Sequence, residues 1–128
     1  MSPLSPIHFL AVGLGAAAGA WLRWLLGLWL NVSARHFPWG TLAANLAGGY
    51  AVGVALALVA AHPQWPAWVR LAAVTGFLGG LTTFSTFSAE TVAFVEQGRW
   101  GTALAYVALS LGGSLAMTAL GLLTVRAL

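Results

Sequence analysis

The sequence contains no cysteine, no lysine and very few charged side chains. Of its 128 residues, five are arginine and two are glutamate, while 60% are hydrophobic. The lack of cysteine excludes thiol-based redox chemistry and thiolate metal sites. So few charges cannot cover the surface of a soluble domain, and five scattered arginines are too few for a nucleic-acid surface. The composition therefore predicts an integral membrane protein with no nucleic-acid partner.

Four apolar stretches are each long enough to cross a bilayer as a helix, which takes about 20 residues. They cover about 7–30, 39–61, 67–95 and 100–125. All five prolines lie at or between their ends, where they break no helix. The apolar start could be misread as a signal peptide, but it lacks a basic region and its apolar run continues to Leu30. We expect residues 1–128 to form one all-α, four-helix transmembrane domain.

The arginines leave the orientation in the membrane undecided. With four spans, Arg70 and Arg126 fall on one side, and Arg35 and Arg99 fall on the other. Because basic residues in short loops set the orientation, an even count allows insertion both ways up. Oppositely oriented copies could then pair about an axis in the membrane plane. The alternative is a single orientation, set by features that the arginine count misses.

Three of the spans carry small or polar residues along one face, at a spacing of four residues. These residues are Gly15, Gly19, Arg23, Gly27 and Asn31 in the first span, Thr41, Asn45, Gly49 and Gly53 in the second, and Tyr106, Ser110, Ser114 and Thr118 in the fourth. The glycines indicate close helix packing. Arg23 either reaches the membrane interface or serves a function. Asn45 forms either a structural hydrogen bond between helices or part of a polar path.

The third span contains a polar segment, GGLTTFSTFS, at residues 79–88. Two glycines and five hydroxyl side chains form a poor helix, so we expect a break near the middle of this span. Carbonyls freed at such a break could bind a cation. Phe84 and Phe87 share a helical face, where they either pack or turn their positive ring edges towards an anion. We expect Glu90 to face a vestibule and Glu96 to lie in a loop.

No arrangement of residues points to catalysis. The three histidines lie near the N-terminus or in loops. The sequence has no phosphate-binding loop, no nucleophile–base pair at a recognisable spacing and no cluster of metal ligands. An enzyme is therefore not predicted.

Four segments, one in each span, resemble the Fluc (CrcB) family of fluoride channels. They are GAAAGAWLRW, GTLAANLAGG, GFLGGLTTFSTFSAE and YVALSLGGS. The resemblance covers nearly the whole chain. It implies an antiparallel, dual-topology homodimer with two fluoride pathways and a structural sodium ion at its centre. It also implies a passive, highly selective channel of the bacterial inner membrane, which exports fluoride from the cytoplasm and relieves fluoride toxicity.

The same resemblance implies roles for individual residues. Asn45 would supply its amide to the fluoride pathway, and Phe84 and Phe87 would line the route with their ring edges. The carbonyls of Gly79 and Thr82 from both subunits would hold the sodium ion. The family also has a polar track and an arginine near a vestibule, and the matching residues here are Thr41, Glu90, Tyr106, Ser110, Ser114 and Arg23.

A transporter of the small multidrug resistance type is the main alternative, because such transporters are also short, four-spanned and often dual-topology. Proton-coupled export of that kind depends on a membrane-embedded carboxylate early in the chain, whereas the first span here carries Arg23 and no acid. A third hypothesis is an assembly subunit that transports nothing and uses its glycine faces only for packing. Asn45 and the hydroxyl-rich segment argue against that hypothesis.

Overall fold

The computed structural model describes residues 2–32 and 36–128. These residues form helices and no strand. Four helices are long and apolar enough to cross a membrane, namely Pro6–Leu30, Trp39–Ala61, Ala67–Glu96 and Trp100–Arg126. They confirm the four predicted membrane-crossing helices and are called the first to fourth spans below. Arg35, which entered the arginine count, lies outside the described residues.

Prolines and one glycine mark where the spans begin and where the chain turns. Pro6 is the first residue of the first span, and Pro38 and Pro66 directly precede the second and third. A proline costs little there, because the first N–H groups of a helix have no helical acceptor. Between the third and fourth spans the chain turns at Gly98, whose φ of 73° favours glycine.

The first span packs against the N-terminal part of the third span through glycines on both sides. A Cβ atom added at Gly19 would overlap the carbonyl of Phe77. One added at Gly76 would lie 2.7 Å from the carbonyl of Val12. Such direct contact between backbones requires residues without side chains, so the glycines of these two spans set their close approach.

The second and fourth spans pack against each other in the same way. A Cβ atom added at Gly53 would overlap the carbonyl of Thr118, and one added at Gly121 would overlap the carbonyl of Tyr50. The Thr118 hydroxyl also donates to the carbonyl of Gly49 at 3.0 Å. The small-residue faces of these two spans therefore meet each other.

The third span changes helical form along its length. Its helical segments in chain order are α-helical Ala67–Arg70, π-helical Leu71–Leu78, α-helical Gly79–Leu81 and α-helical Phe84–Glu96. Between the last two segments, Thr82 and Thr83 are extended, with ψ angles of 154° and 126°. The Thr82 N–H still donates to the carbonyl of Leu78 at 3.0 Å, whereas the Thr82 carbonyl and the Thr83 N–H leave the helical ladder and need other partners.

Aromatic rings fill the space where the second, third and fourth spans meet. Phe87, Phe94 and Tyr106 are all buried, and the ring centroids of Phe87 and Tyr106 lie 5.2 Å apart. Other large apolar side chains, such as Leu14 and Trp21, point outward from the helices. An apolar exterior around a small interior suits a chain that lies in lipid.

Candidate functional site

A groove of about 360 Å³ lies beside the extended residues of the third span, between that span and the second and fourth. Eight of the residues singled out in the sequence line it, namely Asn45, Gly49, Thr82, Phe84, Phe87, Ser110, Ser114 and Thr118. Thr82 and Thr83 form part of its wall. The fold thus brings together polar and aromatic side chains from three spans that are far apart in the sequence.

Asn45 holds the extended backbone of the third span. Its Nδ2 donates to the carbonyl of Thr83 at 3.1 Å, and its Oδ1 accepts the N–H of Thr83 at 2.8 Å. The amide therefore bonds both backbone groups of Thr83, the residue that caps the Phe84–Glu96 segment. Because an amide nitrogen carries two hydrogens, one N–H of Asn45 remains for the groove. Asn45 thus both bonds the second span to the third and lines the groove.

The Ser110 hydroxyl is the clearest unpaired polar group of the groove. Ser110 is only 5% exposed. Its Oγ has no hydrogen-bond partner among the described residues. A buried hydroxyl without a partner costs about 1–3 kcal/mol, and the groove is the cavity beside it. Ser110 thus contributes to the lining of the groove a hydroxyl that has a hydrogen bond still to make.

Phe84 and Phe87 lie at the same groove but differ in exposure. Their ring centroids are 5.5 Å apart. Phe84 is 70% exposed, whereas Phe87 is 7% exposed and packs on Tyr106. The two rings thus share a face, as predicted. Phe87 lies in the interior of the protein, and Phe84 lies on the outer rim of the groove.

Thr41, Glu90 and Tyr106 form a polar cluster on the same three spans, one helical turn from the groove. The hydroxyl of Tyr106 donates to Oε1 of Glu90 at 3.5 Å. Thr41 lies on the second span one turn before Asn45 and accepts a hydrogen bond from Asn31. Tyr106 is fully buried and Glu90 is half-buried. The groove and this cluster therefore form two consecutive polar layers between the same spans.

Asn31 joins this cluster, a contact that the sequence reasoning did not anticipate. Its Nδ2 donates to Oγ1 of Thr41 at 3.4 Å, and its Oδ1 accepts the N–H of Gly40 at 2.7 Å. Asn31 thereby caps the start of the second span, which Pro38 cannot do because it has no polar side chain. The helical spacing placed Asn31 on the polar face of the first span. That spacing did not indicate that the Asn31 side chain would bond to the second span.

Arg23 contacts the third span from outside the groove. Its Nε donates to the carbonyl of Gly80 at 3.0 Å, and the side chain is half-buried. Arg23 does not line the groove that holds Asn45 and Ser110. The structure therefore brings its charge to the glycine segment of the third span and not to the polar layers.

The carbonyls of Gly79 and Thr82 lose the donors that a continuous helix would give them. The helical donor for Gly79 would be the N–H of Thr83, which donates instead to Oδ1 of Asn45. The helical donor for Thr82 would be the N–H of Thr86, which donates instead to Oγ1 of Thr83 at 3.2 Å. Within the described residues, no cluster of three or more acidic or histidine side chains could hold a metal ion. Two carbonyl oxygens at this position are thus without their helical donors.

The chain is similar to known proteins over nearly its whole length. A family described as "CrcB-like protein, Camphor Resistance (CrcB)" matches residues 10–122, a range that contains all the residues of the groove.

Three relatives illustrate the similarity. A protein of Bordetella avium (strain 197N) is 69% identical over 121 residues, which cover 94% of each chain. A protein of Bordetella bronchiseptica is 66% identical over 128 residues, which cover all of this chain and 98% of the relative. A protein of Cupriavidus metallidurans is 52% identical over 125 residues, which cover 98% of this chain and 99% of the relative. Each of these relatives is named "Fluoride-specific ion channel FluC".

Proposed function

The chain belongs to the CrcB family, and on that premise we propose that it is a passive, fluoride-selective ion channel. It is a multi-pass membrane protein with four apolar spans. Relatives that share 66–69% of its residues over nearly the whole chain are named fluoride-specific channels. We infer that it lies in the inner membrane of a bacterium and lets fluoride leave the cytoplasm, which relieves fluoride toxicity.

The unpaired hydroxyl of Ser110 is the observation that carries this proposal. Fluoride is small and strongly hydrated, so a pore must replace its lost water with hydrogen-bond donors. A buried donor that has no protein partner can bind a passing anion without first breaking another bond. The same anion would remove the cost of leaving that hydroxyl unsatisfied.

Other groups of the groove would complete the fluoride pathway. Asn45 offers its second amide N–H, and Ser114 offers a hydroxyl one helical turn from Ser110. The rings of Phe84 and Phe87 carry a positive edge, which can face an anion without binding it tightly. The Phe84–Glu96 helix begins at a residue that lines the groove, and the positive end of its dipole would favour a negative charge there.

The second polar layer would extend the pathway towards one membrane surface. Thr41, Tyr106 and Glu90 lie one turn from the groove, and Tyr106 donates a hydrogen bond to Glu90. Arg23 would add a positive charge near the glycine segment and raise the local concentration of anions. The inside-negative membrane potential then drives fluoride outward, so no nucleotide or coupling site is required.

We further propose that the active form is an antiparallel homodimer. Phe84 lies 70% exposed on the rim of the groove, and a second copy could cover it. The even arginine count supports opposite orientations of the two copies. The carbonyls of Gly79 and Thr82, which lack helical donors, fit a structural sodium ion shared by the two subunits. Sodium would contribute charge balance and stability at that point.

Fluoride efflux from proteoliposomes tests the proposed function. Purified protein in vesicles should release fluoride passively, without a proton gradient and without release of chloride. The variant Ser110→Ala should pass fluoride at least about tenfold more slowly, because it loses one hydrogen bond to a charged group. It should remain as stable as the parent, because it removes an unsatisfied group.

Ser5→Ala is the matched control. Ser5 also has a buried Oγ without a hydrogen-bond partner among the described residues, but it lies before the first span. Fluoride efflux should be unchanged in this variant. Proton-coupled drug export by the parent would favour the small multidrug resistance-type transporter. The absence of any flux would favour an assembly subunit.

The sodium proposal has a separate test. Fluoride efflux should proceed with no sodium gradient, and radioactive sodium should not cross with fluoride. Thermal stability should rise with sodium concentration, as expected for a ligand that binds only the folded state. Sodium flux in a fixed ratio to fluoride flux would overturn the structural role.

A further inference from the structure

We propose that the connection between the second and third spans binds the phosphate of an anionic phospholipid headgroup. A cavity of about 360 Å³ lies at this connection, separate from the groove, and His62, Trp65 and Arg70 line it. The second span ends at Ala61 and the third begins at Ala67. The cavity therefore lies at the level where lipid headgroups meet the protein.

Arg70 supplies a positive charge that the protein does not balance. The side chain is exposed and has no hydrogen-bond or ion-pair partner among the described residues. The chain has only two acidic side chains, Glu90 and Glu96. Both lie roughly 30 Å or more along the third span from Arg70, at about 1.5 Å per residue. No carboxylate side chain is within reach, so a counter-anion from outside the chain can bind here, and the phosphates of phospholipids lie at the depth of such a connection.

His62 and Trp65 form a rigid wall beside Arg70. Their rings stack at 4.6 Å with an interplanar angle of 12°. Nδ1 of His62 lies 2.9 Å from the carbonyl of Leu58. Because a carbonyl only accepts, Nδ1 must carry the hydrogen, which fixes the orientation of the ring. The backbone N–H of Trp65 donates to the His62 carbonyl at 3.1 Å, so the wall is already formed before a ligand binds.

The groups around the cavity match the chemistry of a phosphate diester. A guanidinium can donate two parallel hydrogen bonds to phosphate oxygens. The indole N–H of Trp65, which has no acceptor among the described residues, can donate a third. Val59 and Pro66, which also line the cavity, offer apolar contacts to the glycerol and the upper acyl chain.

Arg126 provides a matched control within the same chain. It ends the fourth span, and with four spans it lies on the same membrane side as Arg70. It carries the same charge and is exposed, but it does not line the cavity. General attraction between basic residues and anionic lipids would affect both arginines equally, whereas a specific site depends on Arg70 alone.

Lipid retention measured by native mass spectrometry tests this inference. The parent and the variants Arg70→Gln and Arg126→Gln are reconstituted in vesicles of one part phosphatidylglycerol to three parts phosphatidylcholine, and then extracted in mild detergent. The parent should retain phosphatidylglycerol in preference to phosphatidylcholine. Arg70→Gln should lower the occupancy of the first retained phosphatidylglycerol roughly tenfold, the effect of losing hydrogen bonds from a charged group. Arg126→Gln should lower it less than about twofold.

Three results would overturn the site. The first is an equal loss of phosphatidylglycerol occupancy in the two arginine variants, and the second is no preference for phosphatidylglycerol in the parent. The third is full displacement of the lipid by millimolar inorganic phosphate. Should Arg70→Gln fail to elute as folded protein, Trp65→Leu removes the wall and the indole donor and must also lower the occupancy. The measurement does not depend on fluoride conduction, so its result tests the lipid site independently of the proposed function.

Discussion

Asn45→Asp separates the structural role of this residue from its proposed role in the fluoride pathway. The exchange keeps nearly the same volume and keeps an oxygen for the N–H of Thr83, now at 2.8 Å from Oδ1. It replaces the donor that lies 3.1 Å from the Thr83 carbonyl with a second acceptor. That carbonyl cannot become a donor, so two oxygens would face each other.

The structure sets the size of the expected effects. Loss of the donor removes the side-chain hydrogen bond to the Thr83 carbonyl and sets two oxygens against each other, which should lower the free energy of unfolding by about 1–3 kcal/mol. The new negative charge adds repulsion for an anion in surroundings of low dielectric constant. Fluoride efflux should therefore fall by at least about tenfold, beyond what a partial loss of folded protein explains.

Asn31→Asp is the control for stability, because it makes the same chemical exchange at the only other asparagine. Oδ1 of Asn31 accepts the Gly40 N–H at 2.7 Å, and its Nδ2 donates to the Thr41 hydroxyl. A hydroxyl can rotate and donate to a carboxylate, and an aspartate near a helix start is favourable. The free energy of unfolding should change by less than about 0.5 kcal/mol.

The assay combines fluoride efflux from proteoliposomes with size exclusion and thermal unfolding of the same preparation. We expect Asn45→Asp to elute as the parent does, to unfold at a lower temperature and to pass little fluoride. Folded Asn45→Asp protein that passes fluoride at the parental rate would refute the pathway role. Equal destabilisation by Asn31→Asp would refute the argument about the Thr83 carbonyl.

Three other predictions follow from packing and topology. Phe84→Ile should slow fluoride efflux with little change in thermal stability, whereas Phe87→Ile should lower both, because only Phe87 is buried; equal stability losses would contradict this. Gly121→Ala should lower the free energy of unfolding by about 1–3 kcal/mol, while Gly112→Ala, where an added Cβ meets nothing within 4 Å, should not. Gln97→Cys in this cysteine-free chain should react with a membrane-impermeant maleimide from both sides of the membrane. Labelling from one side only would contradict the proposed antiparallel dimer.

Composition and hydrophobic length were enough to predict the four spans. About 20 apolar residues between prolines have few alternatives to a membrane-crossing helix, and the four long helices confirm this. Helical spacing also predicted which small residues face another span. Gly19 and Gly53, for example, both contact a neighbouring backbone. Spacing could not predict which spans pair, because a glycine face fits any other glycine face.

The candidate site was harder to predict, since its contacts join distant parts of the chain. Asn45 and Thr83 are 38 residues apart, and periodicity within one helix carries no information about such a partner. Phe84 and Phe87 were expected to share a face, yet no pattern indicates which ring is buried. The π-helical form of Leu71–Leu78 likewise has no sequence signal that we recognise. These features depend on how the spans pack and not on local preference.

Asn45 and Ser110 show how polar groups at membrane depth divide into two kinds. The amide of Asn45 is bonded to the backbone that it holds, whereas the hydroxyl of Ser110 is buried and unpaired. A groove built only from satisfied groups would be rigid but would offer nothing to an ion that has lost its water. A groove built only from open groups would bear several desolvation penalties and would collapse or fill with water. A fixed frame with an open donor beside it avoids both outcomes, and this is the combination that the passage of a strongly hydrated anion requires.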